Sequence, residues 1–79
     1  MSTQELITTL LTEKFGVPRS DIGAQQTFDQ LGIDSLIIVE LALALRRQLR
    51  VPLDDDELYP ELTVHQVAEL LDEKARAAA

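Results

Sequence analysis

Ser35-Leu36-Ile37-Ile38-Val39-Glu40-Leu41-Ala42-Leu43-Ala44-Leu45-Arg46-Arg47-Gln48-Leu49-Arg50 contains neither glycine nor proline. Ile38, Leu41, Ala42, Leu45 and Leu49 recur at steps of three and four, the spacing of one apolar face of an α-helix. Asp34 stands where an N-cap carboxylate accepts a backbone N–H and complements the positive end of the helix dipole. Arg46, Arg47 and Arg50 stand at the opposite, negative end, and Pro52 follows where a helix cannot continue. This helix is central, and the rest of the chain is read as what packs on its apolar stripe.

Upstream, Ser2 with Glu5 forms a capping-box pattern. Leu6, Ile7, Leu10, Leu11 and Phe15 then mark one face of a first helix, closed by Gly16 and Pro18. From Val17 to Asp34 the periodicity fades, while Ile22, Phe28, Leu31 and Ile33 remain as apolar anchors. Loops this long in small domains are functional or hide short helical turns, here at Asp21-Ile22 and Phe28 to Leu31. Downstream, Asp54 to Glu57 give an acidic first turn to a short helix that Pro60 stops. Thr63 with Gln66 is a second capping box, and Val64, Val67, Ala68, Leu70 and Leu71 carry a last amphipathic helix. No strand pattern and no internal repeat emerges. The sequence predicts an all-α fold: a small four-helix bundle of three longer helices and one short one, with a long loop between the first two. Residues 1–79 read as a single domain, with 75–79 a frayed tail.

Composition narrows the function. The chain has 79 residues, 46% hydrophobic and 27% charged, which suits one small globular domain and leaves no room for a catalytic α/β domain with a deep cleft. A net charge of -7 repels phosphate backbones and argues against nucleic-acid partners. With no cysteine there is neither disulfide nor thiolate metal site. The run Asp54 to Glu57 lacks the alternating ligands and glycine of a calcium loop, so no metal is expected there. No apolar run reaches the roughly 20 residues of a membrane span. The start Met1-Ser2-Thr3-Gln4-Glu5 lacks the regions of a signal peptide. A cytoplasmic, monomeric protein without a membrane partner is expected.

Ser35 beside Asp34 invites a hydrolase reading, but the partners are missing. The sole histidine, His65, lies early in the last helix with no evident carboxylate to orient it, and no Gly-x-Ser-x-Gly elbow surrounds Ser35. A hydroxyl on the first turn of a helix reads instead as a handle that another enzyme modifies. No catalytic residue is assigned, and the chain is not expected to be an enzyme.

Leu31-Gly32-Ile33-Asp34-Ser35-Leu36, followed by Val39-Glu40-Leu41 and Ala44-Leu45, resembles the modification site and second helix of acyl carrier proteins. The spacing of Phe28, Leu31 and Ser35, the mixed segment Val51 to Tyr59 and the closing Thr63-Val64 helix agree, so the resemblance covers nearly the whole chain. It implies that a phosphopantetheinyl transferase moves 4'-phosphopantetheine from coenzyme A onto Ser35. It also implies that Asp34 helps the transferase hold its metal and substrate, besides capping the helix. Acyl or polyketide cargo would ride on the arm's thiol as a thioester, delivered to ketosynthase, acyltransferase or other synthase enzymes. Ile38, Leu41, Ala42 and Leu45 either open a slot for an acyl chain, as in some members of the family, or form a closed core.

Leu36, Glu40, Leu43 and Arg47 make a second stripe turned away from the core, which with Ile37 is read as the partner-docking surface. Val39 is read as centrally buried. Residues 35–53 carry a net +2, against -3 before them and -6 after. Carriers of bacterial fatty-acid synthesis usually present acids where Arg46 and Arg47 stand. That departure favours a discrete carrier of polyketide or mixed peptide–polyketide assembly, in antibiotic-type secondary metabolism, over one of fatty acid biosynthesis. Two alternatives stay open. One is a peptidyl carrier, disfavoured because Ile33-Asp34 precedes the serine where those carriers show Gly-His or a similar pair. The other is an unmodified helical adaptor with docking leucines.

Overall fold

A computed structural model describes residues 2–78. Three α-helices account for most of it: α1 (Thr3–Phe15), α2 (Ser35–Leu49) and α3 (Val64–Ala78). α1 packs against both α2 and α3, and the 51–58 segment closes over α2. Seventeen apolar side chains form one continuous core, with no polar or charged residue buried among the described ones. None of the helices is long and apolar enough to cross a membrane.

Each helix begins where the sequence supplies a cap. Ser2 Oγ accepts the Glu5 N–H at 3.1 Å, and Asp34 Oδ1 accepts the Ile37 N–H at 3.0 Å. At α3 the exchange is reciprocal: Thr63 Oγ1 accepts from Gln66 N–H at 3.0 Å while Gln66 Oε1 accepts from Thr63 N–H at 2.9 Å. The ends are as specific. Gly16 sits in the left-handed region, φ 71°, where a side chain is disfavoured, and lets Val17 N–H reach the Leu11 carbonyl at 3.1 Å. α2 stops at Arg50, also left-handed at φ 55°. α3 continues through Ala78.

The predicted short third helix is a 3₁₀ turn, Asp55–Glu57, so the described residues hold three α-helices where four were expected. Pro52 and Pro60 bracket too few residues to repay helix nucleation. The capping box is nevertheless made, with Glu57 Oε1 accepting the Asp54 N–H at 3.0 Å. Glu57 also pairs with Lys74 of α3 at 2.8 Å, tying this turn to the last helix. These two donors hold the Glu57 carboxyl below its ordinary value, the Asp54 backbone contributing most. Val51, Leu53 and Leu58 drop into the core from the same segment. Arg46 holds it down, donating from Nη1 to the Leu53 carbonyl at 3.0 Å.

The loop of 17–34 is ordered by the anchors the sequence shows. Arg19–Asp21 makes a 3₁₀ turn, and Thr27 with Gln30 forms a reciprocal box that starts a single turn over 28–31. Phe28 is fully buried and Ile33 nearly so, while Ile22 and Leu31 pack half-buried against them. Four backbone bonds sew the loop to the entry of α3: Phe28 to Leu62, Asp29 to Pro60, Val64 to Gln26 and His65 to Ala24. An isolated antiparallel bridge, Thr27 with Thr63, lies within this seam.

Candidate functional site

The turn that buries Phe28 also aims the start of α2. Gly32 takes φ 79°, and its reversal lets the Phe28 carbonyl accept the Ile33 N–H at 2.9 Å. Ile33 is thereby drawn inward, and Asp34 and Ser35 come out at the surface. Asp34 is extended, φ -87° and ψ 179°, as an N-cap requires. Ser35 is the first helical residue and exposed. Ile37 and Ile38 N–H groups are satisfied by Asp34, through its side chain and carbonyl. Among the described residues nothing accepts the N–H of Ser35 or Leu36. An exposed hydroxyl thus stands beside two open donors at the positive end of a helix, a setting suited to a phosphate ester.

A hydrolytic site does not assemble around it. His65 lies 3.3 Å from Glu69 one turn along α3, so a carboxylate does accompany the imidazole, contrary to the sequence reading. Both side chains are solvent-exposed, and the groove of about 450 Å³ they line runs along the start of α1 without Ser35.

Along α2, Leu36, Val39 and Leu43 are exposed, by 70%, 41% and 37%. The sequence reading buried Val39 and the structure does not. Of the helical elements, α1 and the Asp55–Glu57 turn pack on α2, and the arc carrying Leu36, Val39 and Leu43 is left to solvent. Val39 therefore joins Leu36 and Leu43, with Glu40 and Arg47, on one surface. Leu43, Glu40 and Arg47 continue into a groove of about 220 Å³ shared with Lys14 and Phe15 of α1, residues that helix periodicity alone would not have joined to this face. Ile37 lies apart from it. Its side chain is half-buried and borders a larger groove, about 700 Å³, between the start of α2 and the 15–33 segment. Ile38, Leu41, Ala42 and Leu45 are sealed in the core, each at most 1% exposed.

Residues 5–71 match the family described as "Phosphopantetheine attachment site". The chain is 32% identical over 78 residues to an acyl carrier protein of Bdellovibrio bacteriovorus, a match covering 98% of this chain and 100% of that protein. It is also 33% identical over 81 residues to lovastatin diketide synthase mokB of Monascus pilosus, covering 92% of this chain and 3% of that synthase.

Proposed function

Since the chain belongs to the acyl carrier family, whose members are carriers rather than catalysts and hold a covalently attached 4'-phosphopantetheine, we propose that Ser35 is the attachment residue and that residues 1–79 act as one carrier domain. The observation that carries this is the exposed Ser35 hydroxyl at the first turn of α2, flanked by the open N–H groups of Ser35 and Leu36. These fit a phosphodiester, whose charge the helix start favours. In the transfer, Ser35 Oγ forms the new P–O bond as the pyrophosphate linkage of coenzyme A breaks. The serine proton passes to a base of the transferase, and the nucleotide bisphosphate leaves. When bound, the group supplies a thiol on a flexible tether that holds cargo as a thioester and raises its local concentration at each partner.

Asp34 fixes the start of α2 and, in this reading, also presents its carboxylate to the transferase. Leu36, Val39 and Leu43, flanked by Glu40 and Arg47, form the docking face for ketosynthase, acyltransferase and related enzymes. The cargo is acyl or polyketide, and the pathway is secondary metabolism. The net positive charge of residues 35–53 supports this, because like-charge mismatch disfavours partners with basic docking patches. Similarity to a segment of a diketide synthase points the same way.

The test is intact-mass measurement after incubation with coenzyme A, magnesium and a promiscuous phosphopantetheinyl transferase. Wild type gains the mass of one phosphopantetheine and Ser35→Ala gains none. An unmodified wild type, or a Ser35→Ala variant that still gains the mass, overturns the assignment, and the former leaves the helical adaptor in its place.

A further inference from the structure

The groove between α2 and the 15–33 segment has no part in the function argued so far. It holds about 700 Å³, within the range of small-molecule sites, and its lining reaches Ile33 and Ile37, two residues to either side of Ser35 in the chain. Its chemistry is mixed and nearly neutral. Phe15, Ile22, Leu31 and Ile37 are half-buried and form an apolar floor packed on the core. Gln26 and Gln30 stand exposed at the rim. Both have Oε1 committed to backbone, to the N–H of Gly23 at 2.8 Å and of Thr27 at 2.9 Å, so the donor left to each is its Nε2 amide. Asp21 is the one charged residue in the lining. Two further grooves are unlike it: one holds Lys14, Glu40 and Arg47, the other Glu5, Arg19, Glu69 and Asp72.

We infer that this groove is the resting place of the chain's own pantetheine arm, an inference that rests on Ser35 being the attachment residue. Beyond its phosphate the arm is uncharged, with a gem-dimethyl group, a hydroxyl and two amides. An apolar floor with amide donors at its edge matches that sequence of groups, whereas a groove crowded with charges does not. Anchored at Ser35, the arm meets the floor at Ile37 and Leu31 and its carbonyls meet the Nε2 groups of Gln26 and Gln30.

The experiment compares backbone amide spectra of apo and holo protein labelled with nitrogen-15, after mass measurement has established loading. Amide shifts are expected through Ile22, Gly23, Gln26, Gln30 and Leu31. Because the chain has no cysteine, a maleimide nitroxide labels only the arm's thiol. It is expected to broaden the amides of Phe15 to Val17 at the far end of the groove. A Gln26→Glu, Gln30→Glu double variant keeps both Oε acceptors, and so both local turns, but removes the Nε2 donors. Its melting temperature should be unchanged, and its shifts should retreat to residues 33–38. Shifts confined to 33–38 in loaded wild type, or broadening centred on Leu53 to Leu58, overturn the inference and leave the Ser35 assignment intact. Failure to load at all overturns both.

Discussion

Replacing Asp34 by alanine and, separately, by asparagine resolves the two roles proposed for one carboxylate. Its Oδ1 accepts the Ile37 N–H at 3.0 Å, and losing such a cap costs about 1 kcal/mol. Losing the negative charge at the helix start costs roughly 0.3–1 kcal/mol more. Asp34→Ala forfeits both and should lose roughly 1.3–2 kcal/mol. At roughly 4–8 °C per kcal/mol for a domain of this size, its melting temperature falls by roughly 5–16 °C. Asp34→Asn keeps an oxygen at the capping position and forfeits only the charge, so its fall stays below about 8 °C. The assay is thermal unfolding followed by far-ultraviolet circular dichroism, run beside the rate of mass gain with the transferase. There the two variants no longer separate by capping: asparagine protects the helix but not recognition, and its loading slows by about tenfold or more, as loss of a charged hydrogen bond in the complex requires. An alanine variant that melts with wild type, or an asparagine variant that falls as far as alanine, refutes the capping argument. Asparagine loading at the wild-type rate refutes recognition and leaves capping alone.

Phe28→Ala empties the fully buried position under the loop. It should cost about 3–5 kcal/mol, much of the stability of so small a domain, and bring the urea midpoint down accordingly. Glu57 has its carboxyl held low by the Asp54 N–H and by Lys74. Its folded value lies below the unfolded one, so the stabilisation is complete above the ordinary carboxylate range and lost as pH falls through the lowered value. Melting curves of wild type and Glu57→Gln should therefore differ at neutral pH and converge in acid. Convergence at neutral pH would contradict the assigned cause. Leu36→Asp, at a side chain 70% exposed, should move stability by no more than about 0.5 kcal/mol while slowing cargo transfer to a ketosynthase, as stopped-time transfer assays would read.

What could be read from the sequence was what depends on near neighbours along the chain. The three-and-four spacing from Ile38 to Leu45 placed four sealed core residues, and Ser2, Asp34 and Thr63 marked three helix starts because a cap acts across three residues. The box of Thr27 and Gln30 has the same local form as that of Thr63 and Gln66, yet went unread because no apolar period follows it. Val39 was misplaced because burial in mid-helix depends on how many elements surround the helix, which no helical period encodes. The reach of Arg46 to Leu53, the ion pair of Glu57 with Lys74 and the groove joining Phe15 to Ile37 depend on the folded path of the loops. At the site, the exposure of Ser35 and its cap followed from local sequence, whereas the open groove beside it came from where the 15–33 segment folds.

The seam between residues 24–29 and 60–65 has a mechanical consequence. With four main-chain bonds bridging them, these two stretches form a yoke: the approach to α3 cannot swing outward without dragging along the turn that seats Phe28 and orients the serine. Anything that levered α3 away from α1 would thus be felt at Ser35 itself. Hydrogen exchange at the Phe28 and Val64 amides would register that strain before the helices had visibly parted.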